Sequence, residues 1–454
     1  MLHAVNPGLT KALAVLLGLF VCSVWYRGGN VDAIVVLGGF LASLVLGLLA
    51  VTAYRAGSLN IELSAVLALV ALLLIAVAGL LGQIRLPAAL WTALPGRESY
   101  RIVTDWLALA PSFHGDFALA IDPRRAAVAT LTAIAAVAAF AVAHLLPAKL
   151  AEQFLRFLTF VAIVQAALGL LQFAFGSPSF MAFGAAVGGH RASGTFVNKN
   201  HFATLLGMFL PLLIFRSAGW LGAKASKARS GDSLANGWWM VATGIVAAAL
   251  VCSQSRAGVA AAAVSAMLAT ILCVYHSRST RSRIALALAL ALGLAMLMAA
   301  GSGLGLLWRS IESPDFLSSM ADRHLMYRTT WEAAKELFPV GAGLGSYSIA
   351  FQRVQPPDIT GYVEFAHNDY AQILFELGAV GVIVIVLLAL SGLITAKYLF
   401  ARSCQRLSRP PLAAACALGC LSYAIHAWYD FPSHIPSVAW TACVLAGFAT
   451  RRDL

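Results

Sequence analysis

Twelve stretches of this chain, near residues 9–26, 31–54, 62–84, 125–146, 152–176, 201–216, 238–254, 257–276, 284–305, 371–396, 411–429 and 435–450, are apolar for about the length a helix needs to cross a bilayer. A backbone in hydrocarbon must satisfy its own N–H and C=O groups, so runs of this kind can only be helices packed as a bundle. The composition agrees: 60% of the residues are hydrophobic, 11% are charged and the mean hydropathy is +0.83, which no ordinary soluble domain approaches. The expected fold is therefore all-α, a polytopic membrane helical bundle of about twelve transmembrane helices. Disorder, a coiled coil, a disulfide-stapled module and a nucleic-acid-binding domain each need charge, heptads or cysteine density that this chain lacks. The seven cysteines, Cys22, Cys252, Cys273, Cys404, Cys416, Cys420 and Cys443, form no CxxC pair and imply neither a disulfide framework nor a structural zinc site. The first apolar run has no small-residue cleavage site followed by a polar region, so it is expected to be a retained anchor.

Orientation follows from the basic residues, whose excess gives the formal charge of +12. Lys224/Lys227/Arg229, Arg278/Arg281/Arg283, Lys397/Arg402/Arg406/Arg409 and Arg451/Arg452 fall on one side if the windows alternate. That side is expected to be cytoplasmic, with Arg124 and Arg125 as exceptions on the other. Three long polar segments, 85–124, 177–200 and 306–370, then face outward, while the Ser/Ala/Gly-rich stretch 217–237 reads as a flexible cytoplasmic loop. This divides the chain into a first part of the bundle (1–305), a large outer loop (306–370) and a C-terminal part of the bundle (371–454).

The large loop is not structureless. Met320, His324, Tyr327, Trp331, Ala334 and Phe338 recur at steps of four and three, the stripe of an amphipathic helix, with Asp322, Thr329, Glu332, Lys335 and Glu336 opposite. Such a helix is expected to lie on the bilayer surface or roof the bundle, or else to pack within its own loop.

Four polar constellations stand at outer helix ends. In GGHRASGTFVNKNHFATLL (188–206), His190, Arg191, Lys199 and His201 accompany Asn198 and Asn200, an arrangement suited to clamping an anion or, alternatively, ordinary interfacial snorkelling. Arg256 in SQSRAG (253–258) occupies a very short turn between two spans, where a cation is costly unless it faces protein, water or an anion. In EFAHNDYAQILFELGAVG (364–381), Asn368, Gln372 and Glu376 make one polar stripe that must face the interior, with His367 just ahead as the candidate general base. HAWYDFPSHIP (426–436) carries His426, Asp430 and His434; its prolines and helix-to-loop geometry argue against a three-ligand metal site, and a pairing of Asp430 with a cavity arginine is expected instead. GAGLGS (341–346) follows a helix and not a strand, so its glycines read as turns that let the backbone approach a helix or ligand closely, not as a dinucleotide loop.

Together RASGTFVNKNHFATLL (191–206), SQSRAG (253–258), the run from Arg323 through Trp331 to GAGLGSY (341–347), AHNDYAQILFELGAVG (366–381) and HAWYDFPSHIP (426–436) resemble, in order, the O-antigen ligase and polymerase superfamily of bacterial envelope glycosyltransferases. The resemblance covers about residues 190–440; Ala371 departs from the Leu common after HNDY. It implies a GT-C-type enzyme of the bacterial inner membrane, with its active site facing the periplasm. The enzyme would use no metal or other cofactor and take a glycan from undecaprenyl pyrophosphate. The acceptor would be lipid A-core in a ligase, or a second lipid-linked glycan in a polymerase. Carried onto this sequence, Arg191 and Arg256 are the expected pyrophosphate ligands, His367 the catalytic residue, and either Arg323 or Arg328 the loop arginine. Lys199, Asn200 and Asn368 complete the expected substrate-binding set. A direct displacement needs two such parts, fixed cations at the departing diphosphate and a base for the incoming hydroxyl, and inverts the anomeric centre. A transporter of lipid-linked sugars is the alternative of another class, but its polar residues belong at mid-membrane and not at one face.

Overall fold

A computed structural model describes residues 26–29, 31–56, 61–108, 115–183, 187–223, 232–276, 314–403 and 411–454, together with Ala14 and Gly18. Its long helices are α1 (Asp32–Ala56), α2 (Leu63–Leu81), α3 (Pro123–Leu145), α4 (Ala148–Phe175), α5 (Lys199–Ala223), α6 (Asp232–Cys252), α7 (Arg256–His276), α8 (Pro314–Leu337), α9 (Asp369–Ser403), α10 (Leu412–His426) and α11 (Pro436–Ala449). Ten of the twelve apolar windows coincide with helices in this set. Among the described residues seven helices are long and apolar enough to cross a membrane, and α6, α10 and α11 contribute shorter apolar segments. The window 284–305 and nearly all of 9–26 lie outside the described residues, as do Cys22, Cys404 and most of the basic residues used for orientation.

The helices pack around α5. Residues 199–218 of that helix are 83% buried, against 33% for the corresponding parts of α2 and α9, so α5 is the core of the bundle and not part of its rim. It contacts α6, α7 and α10, while α3 joins α1, α2 and α11. Small residues permit the close crossings: a Cβ on Gly419 of α10 would lie 2.4 Å from the Met208 carbonyl oxygen of α5. The apolar core includes Phe202, Leu205, Leu206, Phe209 and Leu212 from α5 and Trp440, Val444 and Phe448 from α11.

Three sequence expectations need correction. The stretch 217–237 is largely helical, since α5 continues to Ala223 and α6 starts at Asp232; only 224–231 lies outside the described residues. The segment 85–124 adds a small two-stranded antiparallel sheet to the otherwise helical fold, β1 (Arg85–Pro87) pairing with β2 (Asp116–Ala118). The third concerns α8, whose buried face is Met326, Thr330, Ala333, Ala334 and Leu337, while Trp331 is 48% and Phe338 51% exposed. A 2.8 Å hydrogen bond between Thr330 and Tyr347 ties this face to the turn that follows, and of the expected stripe Ala334 is buried and Tyr327 half-buried against the same cluster.

The glycines of 341–346 serve α9. At Gly378 the helix takes φ 52° and ψ −123°, which breaks its hydrogen-bond ladder. The carbonyls of Phe375 and Glu376, freed by the break, accept the N–H groups of Ala342 (3.0 Å) and Gly343 (2.8 Å). The Glu376 carboxylate continues the clasp, accepting Gly345 N–H at 2.7 Å and Tyr347 N–H at 3.2 Å. The stripe of Asn368, Gln372 and Glu376 is buried, as lipid-facing cost requires.

Candidate functional site

The helices α5, α7 and α9 begin at one end of the bundle, and their first turns carry most of the expected residues. Lys199 opens α5. Its ammonium donates 2.9 Å to the carbonyl of Gln254, and the Gln254 amide donates 3.2 Å to the carbonyl of His190. Gln254 has φ 56°, a conformation a side chain rarely adopts, so these two bonds hold the strained turn that presents Arg256. Ser255 Oγ donates 2.8 Å to Asn200 Oδ1, tying the same turn to α5.

Arg191 is supported from behind by α4. Gln172, fully buried, accepts Ser193 N–H at 3.0 Å and donates to the carbonyls of Gly194 (2.7 Å) and Met181 (2.6 Å). Gln165, two turns earlier on the same face, accepts Thr195 N–H at 2.9 Å and donates 3.0 Å to its hydroxyl. The result is a concentration of positive charge: Arg191, Arg256 and Arg323 all lie near enough to act electrostatically on Lys199. Arg191 and Arg256 are exposed, Lys199 and Arg323 half-buried.

Arg323 and Arg328 separate. The charge of Arg323 acts on Lys199, Tyr327 and His426, whereas Arg328 lines a shallow cleft on α8 with Glu332 and Glu336. Asn368 caps α9, its Oδ1 accepting Ala371 N–H at 3.1 Å, and Asn200 Oδ1 is engaged by Ser255. Both side chains therefore have structural partners at the site's edge.

His367 precedes α9 with φ 52°, and Tyr327 of α8 donates 2.9 Å to its carbonyl, bracing that conformation. Its Nδ1 lies 3.4 Å from Asp430 Oδ1. The expected pairing of Asp430 with an arginine gives way to a histidine environment: the other oxygen, Oδ2, lies 3.7 Å from Nε2 of His201, and His426 is close enough to contribute its charge. Burial alone would raise the Asp430 pKa, but the contact with His367 and the charges of His201, His426 and His367 outweigh it and hold the carboxyl at about 2. His434 lies 3.6 Å from Asp369, so His426, Asp430 and His434 do not converge on one point. Among the described residues no group of three His, Cys, Asp or Glu side chains is arranged to share an ion.

The arrangement offers a cluster of cations suited to a diphosphate and a half-buried imidazole backed by a carboxylate. Arg323 belongs to both parts, and α5 carries Lys199 on one side and His201 on the other. Sequence reasoning missed the clamp made by Gln165 and Gln172, whose spacing of seven on a spanning helix was the available signal.

Residues 241–386 of the 454 match the family model described as O-antigen ligase. The match takes in the Arg256 turn, α8, the glycine turns and His367, and leaves Arg191, His201 and Asp430 outside it. No curated protein sequence matches the chain. With this match set in a bundle of apolar helices, the chain is a multi-pass membrane protein whose residues 241–386 are similar to the O-antigen ligase family.

Proposed function

We propose that this protein is a glycosyltransferase of the ligase type. It moves a glycan from undecaprenyl pyrophosphate to a hydroxyl of lipid A-core at the periplasmic face of the inner membrane. The observation that carries this reading is the gathering of Arg191, Lys199, Arg256 and Arg323 beside the His367–Asp430 contact.

In this reaction the Nδ1–H of His367 points to Asp430, leaving Nε2 to take the proton of the acceptor hydroxyl. The oxygen forms its bond to the anomeric carbon as the carbon–oxygen bond to the diphosphate breaks, and the electron pair leaves with undecaprenyl pyrophosphate. Attack opposite the leaving group inverts the anomeric centre. The gathered guanidinium groups stabilise the charge that develops on the diphosphate, the task a divalent metal performs elsewhere.

The test is transfer from a lipid-linked donor by the purified protein in chelator. Wild-type protein is expected to form product, and His367→Ala and Arg256→Ala to lose it by a hundredfold or more. Normal activity in either variant removes its proposed role. Offering lipid A-core and single lipid-linked repeat units as competing acceptors distinguishes the ligase from a polymerase joining repeat units.

A further inference from the structure

Asp430 and Phe431 form a hub between two histidines that lie far apart in the chain. The Asp430 side chain is fully buried, with one oxygen 3.4 Å from His367 and the other 3.7 Å from His201. The Phe431 ring packs edge-on against both imidazoles, each with a centroid distance of 4.8 Å, and Phe365 stacks on Phe431 at 4.2 Å. Neither Asp430 oxygen has a partner with full hydrogen-bond geometry, and both the Nε2 of His201 and the Nδ1 of His367 are buried facing them. A buried carboxylate left this way is costly, and two imidazole donors are the groups placed to relieve it.

We propose that His201 is a positioning residue for His367, acting through Asp430: the two imidazoles share one buried carboxylate, which keeps Nδ1 of His367 protonated and its Nε2 open to the acceptor hydroxyl. The inference rests on the glycosyl-transfer reading above. His201 faces Asp430 Oδ2 with its Nε2–H across 3.7 Å and stays neutral throughout. The proton taken from the acceptor stays on His367, whose positive charge is stabilised by the carboxylate that His201 holds in place. Without His201, Asp430 Oδ2 loses the imidazole N–H that faces it, and the carboxylate is free to rotate away from His367.

The charged and titratable groups around this relay are His426 at the end of α10, Arg323 and Tyr327 on α8, Asp369 on α9, Tyr429 beside Asp430, and His434, which lies against Phe365 and Asp369 and is coupled electrostatically to His201. Thr204, one turn from His201 on α5, fixes the His426 ring through a 2.6 Å hydrogen bond to Nδ1. The Nδ1 of His426 is thus committed to Thr204 while its Nε2 is buried without a hydrogen-bond partner, and His201 is the residue on α5 that reaches the carboxylate.

The experiment measures transfer by wild-type, His201→Gln, His201→Leu, Asp430→Asn and the His201→Gln/Asp430→Asn double variant across pH 5 to 9, with lipid-linked glycan as donor. His201→Leu is expected to lower kcat about thirtyfold and His201→Gln, which keeps an N–H donor, about fivefold. Donor KM should remain within twofold, and the acid limb of the kcat profile should shift in both. In the Asp430→Asn background His201→Gln should cost less than twofold more, because the two residues act as a unit. Unchanged kcat and pH profile in the His201 variants overturn the inference, as do effects that multiply in the double variant. If His201→Leu does not fold, His201→Gln carries the test with the same outcomes. Absence of transfer by wild-type protein would instead strike the glycosyl-transfer reading itself.

Discussion

A Cβ placed on Gly378 would lie 2.2 Å from the carbonyl oxygen of Pro339, so the break in α9 and the turn that follows α8 are in backbone contact. Ala379 N–H donates 2.9 Å to that same oxygen. Gly378→Ala forces a clash with backbone as well as a φ of 52° at ψ −123°, a region that side chains avoid. The expected cost is about 3 kcal/mol or more. Thermal unfolding in detergent checks it, and an unchanged midpoint would show that the contact is not made.

Gln172 supports Arg191 from behind, on α4. Gln172→Leu keeps the volume but strands Ser193 N–H and the Gly194 carbonyl, which a buried site cannot supply with water. Stability should fall by about 2–4 kcal/mol. Because the loop carrying Arg191 loosens, the folded fraction should show a several-fold rise in donor KM with a smaller change in kcat. Equal losses in both for Gln172→Leu and Arg191→Ala would instead mean that Arg191 acts only on the transition state.

Arg323 and Arg328 make a paired comparison on one helix. Arg323 acts on Lys199 and His426, while Arg328 sits in a cleft with two glutamates. Arg323→Ala is expected to lower transfer at least tenfold, and Arg328→Ala to leave it within threefold. Reversed magnitudes would mean that α8 presents its other face during the reaction.

Much of this was legible because burial in hydrocarbon permits few solutions. A run such as 371–396 can only be a helix, and a stripe such as Asn368, Gln372 and Glu376 can only face inward. The glycines of 341–346 announced close backbone approach, although not that Gly378 was the partner. What stayed hidden depended on contacts between distant segments. Nothing local to His201 or Asp430 indicates that they face each other across the fold. The face of α8 was legible only in part: hydrophobic periodicity ranks Trp331 above Ala333, whereas Ala333 is buried and Trp331 is 48% exposed. Each strand of the β1–β2 sheet is three residues long, too short for an alternating pattern to show.

Asp430 gives the site a pH signature of its own. Its folded pKa of about 2 lies below the ordinary 3.8, because the contact with His367 and the charges of three histidines overcome the penalty of burial. As pH falls, the unfolded chain therefore takes up this proton before the folded one does. The stabilisation from Asp430 is complete above about pH 4 and is lost as pH drops toward 2, a component of about 2 kcal/mol. Asp430→Asn cannot titrate and lacks that component. The stability difference between wild-type and Asp430→Asn, followed by thermal unfolding in detergent from pH 6 to pH 2.5, should stay constant down to about pH 4. It should then shift against the wild-type protein. Curves that run parallel over the whole range would mean that the carboxylate gains nothing from its histidines in the folded state.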